Sequence, residues 1–162
     1  MKAQDAIRST LTSTQYMLGM FLNDLSDADL LVRPVPAANH IAWQLGHLIA
    51  AEGNMLTPYI KDAGYPALPA GFAEQHNKEA AVKDTGFLTK AEYLGLFNKV
   101  RQATIDAVGK LSDADLDAPT TGPMSQMVPT VGALLLLSGD HVMMHAGQFT
   151  VVRRKLGKPV LF

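Results

Sequence analysis

Cysteine is missing altogether from the 162 residues. Its absence excludes disulfides, thiolate-ligated zinc and a cysteine nucleophile, and suits a reducing compartment. Excess charge is missing too: 14 Lys and Arg stand against 15 Asp and Glu, a net charge of −1. Nothing basic therefore invites nucleic acid or an anionic membrane. Long apolar runs are also lacking. The longest, Val131 to Leu137, is too short to span a bilayer, and Met1-Lys2-Ala3-Gln4-Asp5 holds no apolar signal core. No stretch alternates convincingly in the manner of a strand. What remains is the expectation of one soluble, cytoplasmic, all-α domain over residues 1–162.

The helices show in the spacing of apolar residues. Ile7, Leu11, Leu18, Phe21 and Leu22 mark one stripe of a first helix over 3–24. Arg33-Pro34-Val35-Pro36 stops any helix. Asn39 is a good N-cap for a second helix over about 40–56, with Ile41, Leu45, Leu48 and Ile49 on its apolar face. Residues 57–88 then lose all periodicity under Pro58, Gly64, Pro66, Pro69, Gly71 and Gly86. This reads as a long crossover with one helical turn near Glu74–Ala81, the kind of connection that covers a site. Thr89 with Glu92 forms a capping box for a third helix over 90–111. Thr130 caps a fourth over 131–156, which Gly157 and Pro159 end. Arg153, Arg154 and Lys155 fall in its last turn, where they complement the helix dipole. Leu-Ser-Asp-Ala-Asp-Leu occurs twice, at 25–30 and 111–116, which suggests two helix–turn–helix halves. Four long helices with one long crossover, between the second and third, make a four-helix bundle, a fold that builds metal sites on facing helices.

Chemistry concentrates on three histidines. His141 and His145 stand four apart, so both imidazoles lie on one helix face. His47 lies in an apolar pattern on the second helix, four after Trp43, whose indole can orient it. Three such residues invite a facial three-His metal site, with packed core histidines as the alternative. Three neutral imidazoles leave a divalent ion its charge and an open position, the catalytic arrangement for zinc. With no cysteine, any thiol must arrive as a cosubstrate.

The segments Asn39-His40-Ile41-Ala42-Trp43-Gln44-Leu45-Gly46-His47-Leu48 and His141-Val142-Met143-Met144-His145-Ala146-Gly147-Gln148 resemble the DinB/YfiT-like superfamily of metal-binding four-helix bundles, and the resemblance spans essentially the whole chain. It implies a nickel or zinc ion held by His47, His141 and His145. Relatives include thiol transferases using low-molecular-weight thiols, so it also implies an enzyme, thiol transferase or hydrolase, that activates a small thiol or water against a small electrophilic substrate in stress or detoxification; relatives often pair through their helices, which implies a homodimer. A non-catalytic bundle serving as sensor or partner-binding subunit is the alternative.

Other residues suit places around the metal. His40 lies two turns before His47 and suits a pocket or cap position; Glu52, five after His47, suits the pocket edge or a solvated face. Asp140 suits an outer partner of a ligand or a salt bridge, and Gln148 a hydrogen bond to ligand or substrate. His76, in the crossover, reads as a surface histidine. The methionines read as core filler.

Overall fold

A computed structural model of the chain describes residues 1–161. The long helices are α1 (Ala3–Leu22), α2 (Ile41–Leu56), α4 (Lys90–Val108) and α6 (Val131–Lys155), with short helices α3 (Phe72–Gln75) and α5 (Asp113–Asp117) in the connections. Among the described residues no strand forms; one isolated antiparallel bridge joins Pro119 and Thr130.

Local chemistry sets the boundaries. Glu92 Oε2 accepts from the Thr89 amide at 2.8 Å, and the Glu92 amide donates back to Thr89 Oγ1 at 3.3 Å. The Thr130 hydroxyl accepts from the Ala133 amide at 3.2 Å. These bonds satisfy amides that a helix start leaves without partners. α6 ends where Gly157 turns left-handed at φ +68 and the Lys158 amide returns to the Arg153 carbonyl at 2.9 Å. α2 starts one residue later than expected, because His40 rather than Asn39 is its N-cap: Nδ1 of His40 accepts from the Trp43 amide at 3.0 Å. A neutral imidazole nitrogen serves there as an Asn oxygen would. The proton then sits on Nε2, which donates to the Lys83 carbonyl at 3.0 Å.

α1 packs on α4 and α6, and α2 packs on the same two. Consecutive helices α1 and α2 therefore stand across the diagonal of the bundle. The two Leu-Ser-Asp-Ala-Asp-Leu segments make the turns on these long returns with matching hydrogen bonds. The amides of Ser26 and Ser112 donate to Asp29 and Asp115 at 2.8 Å, and those aspartate amides donate back to the serine hydroxyls at 3.2 Å. Leu30 and Leu116 are buried beneath them. The core between the helices holds Leu18, Leu45, Phe97, Val142 and Phe149, all essentially without exposed surface. Truncating Phe97 or Phe149 to Ala would cost about 3–5 kcal/mol.

Charge enters this core. Arg153 is not an exposed helix-end cation but buried, donating to the Phe21 and Pro159 carbonyls and to Asp24. The crossover is likewise fastened down. Arg33 donates to the Ala81 and Lys83 carbonyls at 2.8 Å, Trp43 Nε1 donates to the Asn77 carbonyl at 2.9 Å, and Ile60, Phe72 and Ala80 are buried. His76 is buried rather than on the surface. Its Nδ1 donates to the Phe72 carbonyl and its Nε2 accepts from the Tyr93 hydroxyl, both at 2.7 Å. The ring fills the notch left by Gly46: a Cβ there would lie 2.0 Å from it.

Candidate metal centre

Residues four apart on α6 project from one face, and that face meets α2. His47, His141 and His145 converge there, with one potential ligand nitrogen from each within 4.8 Å of the others. Nε2 of His141 and Nε2 of His145 are 3.2 Å apart. The His47 ring centroid lies 5.2 Å from that of His141 and 5.4 Å from that of His145. His145 is buried, whereas His47 and His141 are partly exposed, so the cluster opens to one side. Trp43 lies flat on His47, ring centroids 5.1 Å apart and planes within 4°. Its indole is held in turn by the crossover carbonyl of Asn77.

Gln44, absent from the residues picked out in the sequence, completes the arrangement. It is buried; its Nε2 donates to the Asn39 carbonyl at 2.9 Å and its Oε1 faces His145 Nδ1 at 2.7 Å. A backbone carbonyl only accepts, so the amide nitrogen must face Asn39 and the amide oxygen must face the imidazole. His145 therefore carries its proton on Nδ1, leaving Nε2 a bare lone pair directed at the cluster. Gln44 sits three before His47, a polar residue on the same face of an apolar helix. That spacing was the signal available in the sequence.

Burial pushes the His145 imidazole down to about 3, and the neighbouring His141 and His47 add to the effect. His141 is lowered to about 4 by burial, then by His47 and Arg101. His47 is lowered by burial and then by Lys78. All three are thus neutral near pH 7. Neutral imidazoles are the nitrogen ligands a borderline divalent ion takes, and three whose nitrogens lie within 4.8 Å of one another fit such an ion.

The remaining candidates lie elsewhere. Nε2 and Nδ1 of His40 are both committed to α2 and the crossover, so it caps rather than ligates. Glu52 is neither at the pocket edge nor on a solvated face. It is buried, its Oε2 receiving Arg101 Nη2 at 2.7 Å and its Oε1 the Thr104 hydroxyl at 2.6 Å. Burial raises its pKa despite both partners. Asp140 and Gln148 are exposed on α6, and among the described residues neither is hydrogen-bonded to the histidines.

The model of the DinB superfamily matches residues 10–149. The chain belongs to the DinB superfamily. Among solved structures, this DinB-superfamily chain resembles YfiT from Bacillus subtilis, described as a probable metal-dependent hydrolase with an unusual four-helix bundle topology. The TM-score is 0.71 at 15% identity, covering 96% of this chain and 89% of that one. A conserved protein from Enterococcus faecalis matches with TM-score 0.73 at 16% identity, over 98% of this chain and 99% of that one. At such identities the likeness establishes the fold. No curated protein matches the chain at a significant level. Among the described residues no helix is long and apolar enough to cross a membrane.

Proposed function

We propose that this chain is a metal-dependent enzyme in which His47, His141 and His145 hold one divalent ion, nickel or zinc, that activates water or a low-molecular-weight thiol against a small electrophilic substrate. The observation that carries the reading is the hydrogen-bond chain Asn39–Gln44–His145, which presents a bare Nε2 beside a second Nε2 at 3.2 Å. Bound there, a divalent ion supplies Lewis acidity, which lowers the pKa of a small nucleophile or polarises a carbonyl. The chain's own residues do the rest. Gln44 holds the His145 proton on Nδ1 and fixes the ring. Trp43 stacks on the His47 imidazole and holds it parallel to its indole. Three protein ligands leave room for a nucleophile, whereas structural sites are usually closed by four. The sequence holds no cysteine, so a thiol nucleophile would enter as cosubstrate.

A second reading, a non-catalytic metal-binding sensor or partner subunit, draws on one observation: both oxygens of Glu52 are already engaged by Arg101 and Thr104. One experiment separates the two. Protein loaded with nickel or zinc is assayed against activated esters, with and without glutathione, and again after chelation. Turnover that vanishes on chelation and returns with metal supports the enzyme. Stoichiometric metal uptake with no turnover of either kind supports the binding role.

A further inference from the structure

The seam between α2 and α6 continues past the histidines. On α2, Ala51 and then Asn54 and Met55 follow His47 at steps of four, seven and eight; on α6, Leu137 and Leu134 precede His141 at steps of four and seven. Seven residues rotate a helix by nearly two full turns, so these positions share the face that carries the histidines. Ala51 and Leu137, both half-buried, are the apolar residues on these faces next after the histidines. Beyond them a pocket of about 230 Å³ lies between Met55 and Leu134 and the 119–130 connection, which supplies Met124 and Val128.

None of the ten lining residues is charged. The hydroxyls in the wall are already spent. The Tyr59 oxygen accepts from the Thr121 amide at 2.9 Å and lies 3.2 Å from that residue's carbonyl and hydroxyl, and Thr120 donates to the Val128 carbonyl. Among the described residues the Asn54 amide, at the exposed rim, has no hydrogen-bond partner. The wall is also preformed: the Thr120 amide bonds to the Pro129 carbonyl and the Val131 amide to the Ala118 carbonyl, each at 3.0 Å. Uncharged in its lining, and roomy enough for one ring beside cavities of about 150 Å³ that admit benzene, the pocket selects by shape and by the cost of desolvating a charge against its buried inner wall of Leu134 and Val128.

We propose that this cavity binds an uncharged apolar group of the substrate, the size of one substituted aromatic ring, about 10 Å along the seam from the reacting centre. The assignment of the cavity to the substrate rests on the metal centre described above, whereas ligand binding in it does not.

The test uses metal-free chain labelled with ¹³C at the methionine methyls and titrated with toluene or with benzoate. Toluene should shift the Met55 and Met124 signals while leaving Met17, Met20 and Met144 in place, and benzoate should be at least tenfold weaker. Met124→Trp, which fills the cavity from its partly exposed rim, should abolish the toluene response at Met55 while leaving the thermal midpoint nearly unchanged. No toluene response, or an equal response to benzoate, overturns the proposal. Chain shown by elemental analysis to hold cobalt is then compared with zinc-loaded chain. Paramagnetic shifts on the bound toluene place it beside the metal, and their absence overturns the link to the substrate. A failure of the metal centre itself appears in the elemental analysis, separately from the toluene titration.

Discussion

Replacing Gly46 by Ala should destabilise the protein, although the same exchange in an open helix position stabilises. The new Cβ would lie 2.0, 2.2 and 2.3 Å from three ring atoms of His76. Ordinary contact begins at 3.4 Å, so the ring would have to retreat by well over an ångström. It has nowhere to go. Both ring nitrogens are held at 2.7 Å, and the ring is packed against Phe72, Phe87 and Tyr93. Expulsion of the imidazole loses two buried hydrogen bonds at about 1 kcal/mol each and about 1–2 kcal/mol of burial. The gain in helix propensity returns about 1 kcal/mol, leaving a net loss of about 2–3 kcal/mol. For a domain of this size that lowers the thermal midpoint by about 5–10 °C. Gly53, on the same helix, meets nothing within 4 Å, so Gly53→Ala should raise the midpoint by about 2–4 °C. Circular dichroism melts of the two metal-free variants decide the matter. A Gly46→Ala protein as stable as Gly53→Ala would refute the packing argument.

Gln44→Leu removes the acceptor that keeps the His145 proton on Nδ1, so zinc affinity by competition with a chelator should fall about 10–100-fold with the fold intact; an unchanged affinity would contradict the assigned role. Arg101→Met strands the buried Glu52 carboxylate and should cost about 3–5 kcal/mol in urea unfolding, most of it recovered in the Arg101→Met, Glu52→Gln double variant. The metal-free protein should also be acid-labile. All five histidines are held below their ordinary pKa, chiefly by burial. Below about pH 6.5 the unfolded chain binds protons that the folded chain refuses, so stability drops as pH falls from there toward 4. The carboxylates with lowered pKa, such as Asp24, lose their contribution only at lower pH still. A urea midpoint that stays constant from pH 7 to pH 5 would show that the buried imidazoles are not held neutral.

Local chemistry made the helices legible. The Thr89–Glu92 box, the Thr130 cap and the Gly157 stop are all encoded within four residues of where they act, and the structure shows them in place. The paired spacing of His141 and His145 and the apolar context of His47 were readable for the same reason. What stayed hidden was the pairing of buried polar side chains across helices. Nothing near Glu52 announces Arg101, 49 residues later, and nothing near His76 announces the notch at Gly46. Arg153 looked like a helix-end cation because its partners, the Phe21 carbonyl and Asp24, come from the far end of α1. Gln44 was passed over because its role depends on the orientation of one amide, which Asn39 fixes through its backbone and not its side chain.

The most direct test of the three-histidine centre is metal stoichiometry by elemental analysis. The chain would be purified without affinity tag or added metal, then dialysed against nickel or zinc, beside His145→Ala. About one ion per chain, tightly held in the parent and lost in the variant, is the expected result. Metal retained equally by His145→Ala, or taken up by neither protein, would contradict the centre.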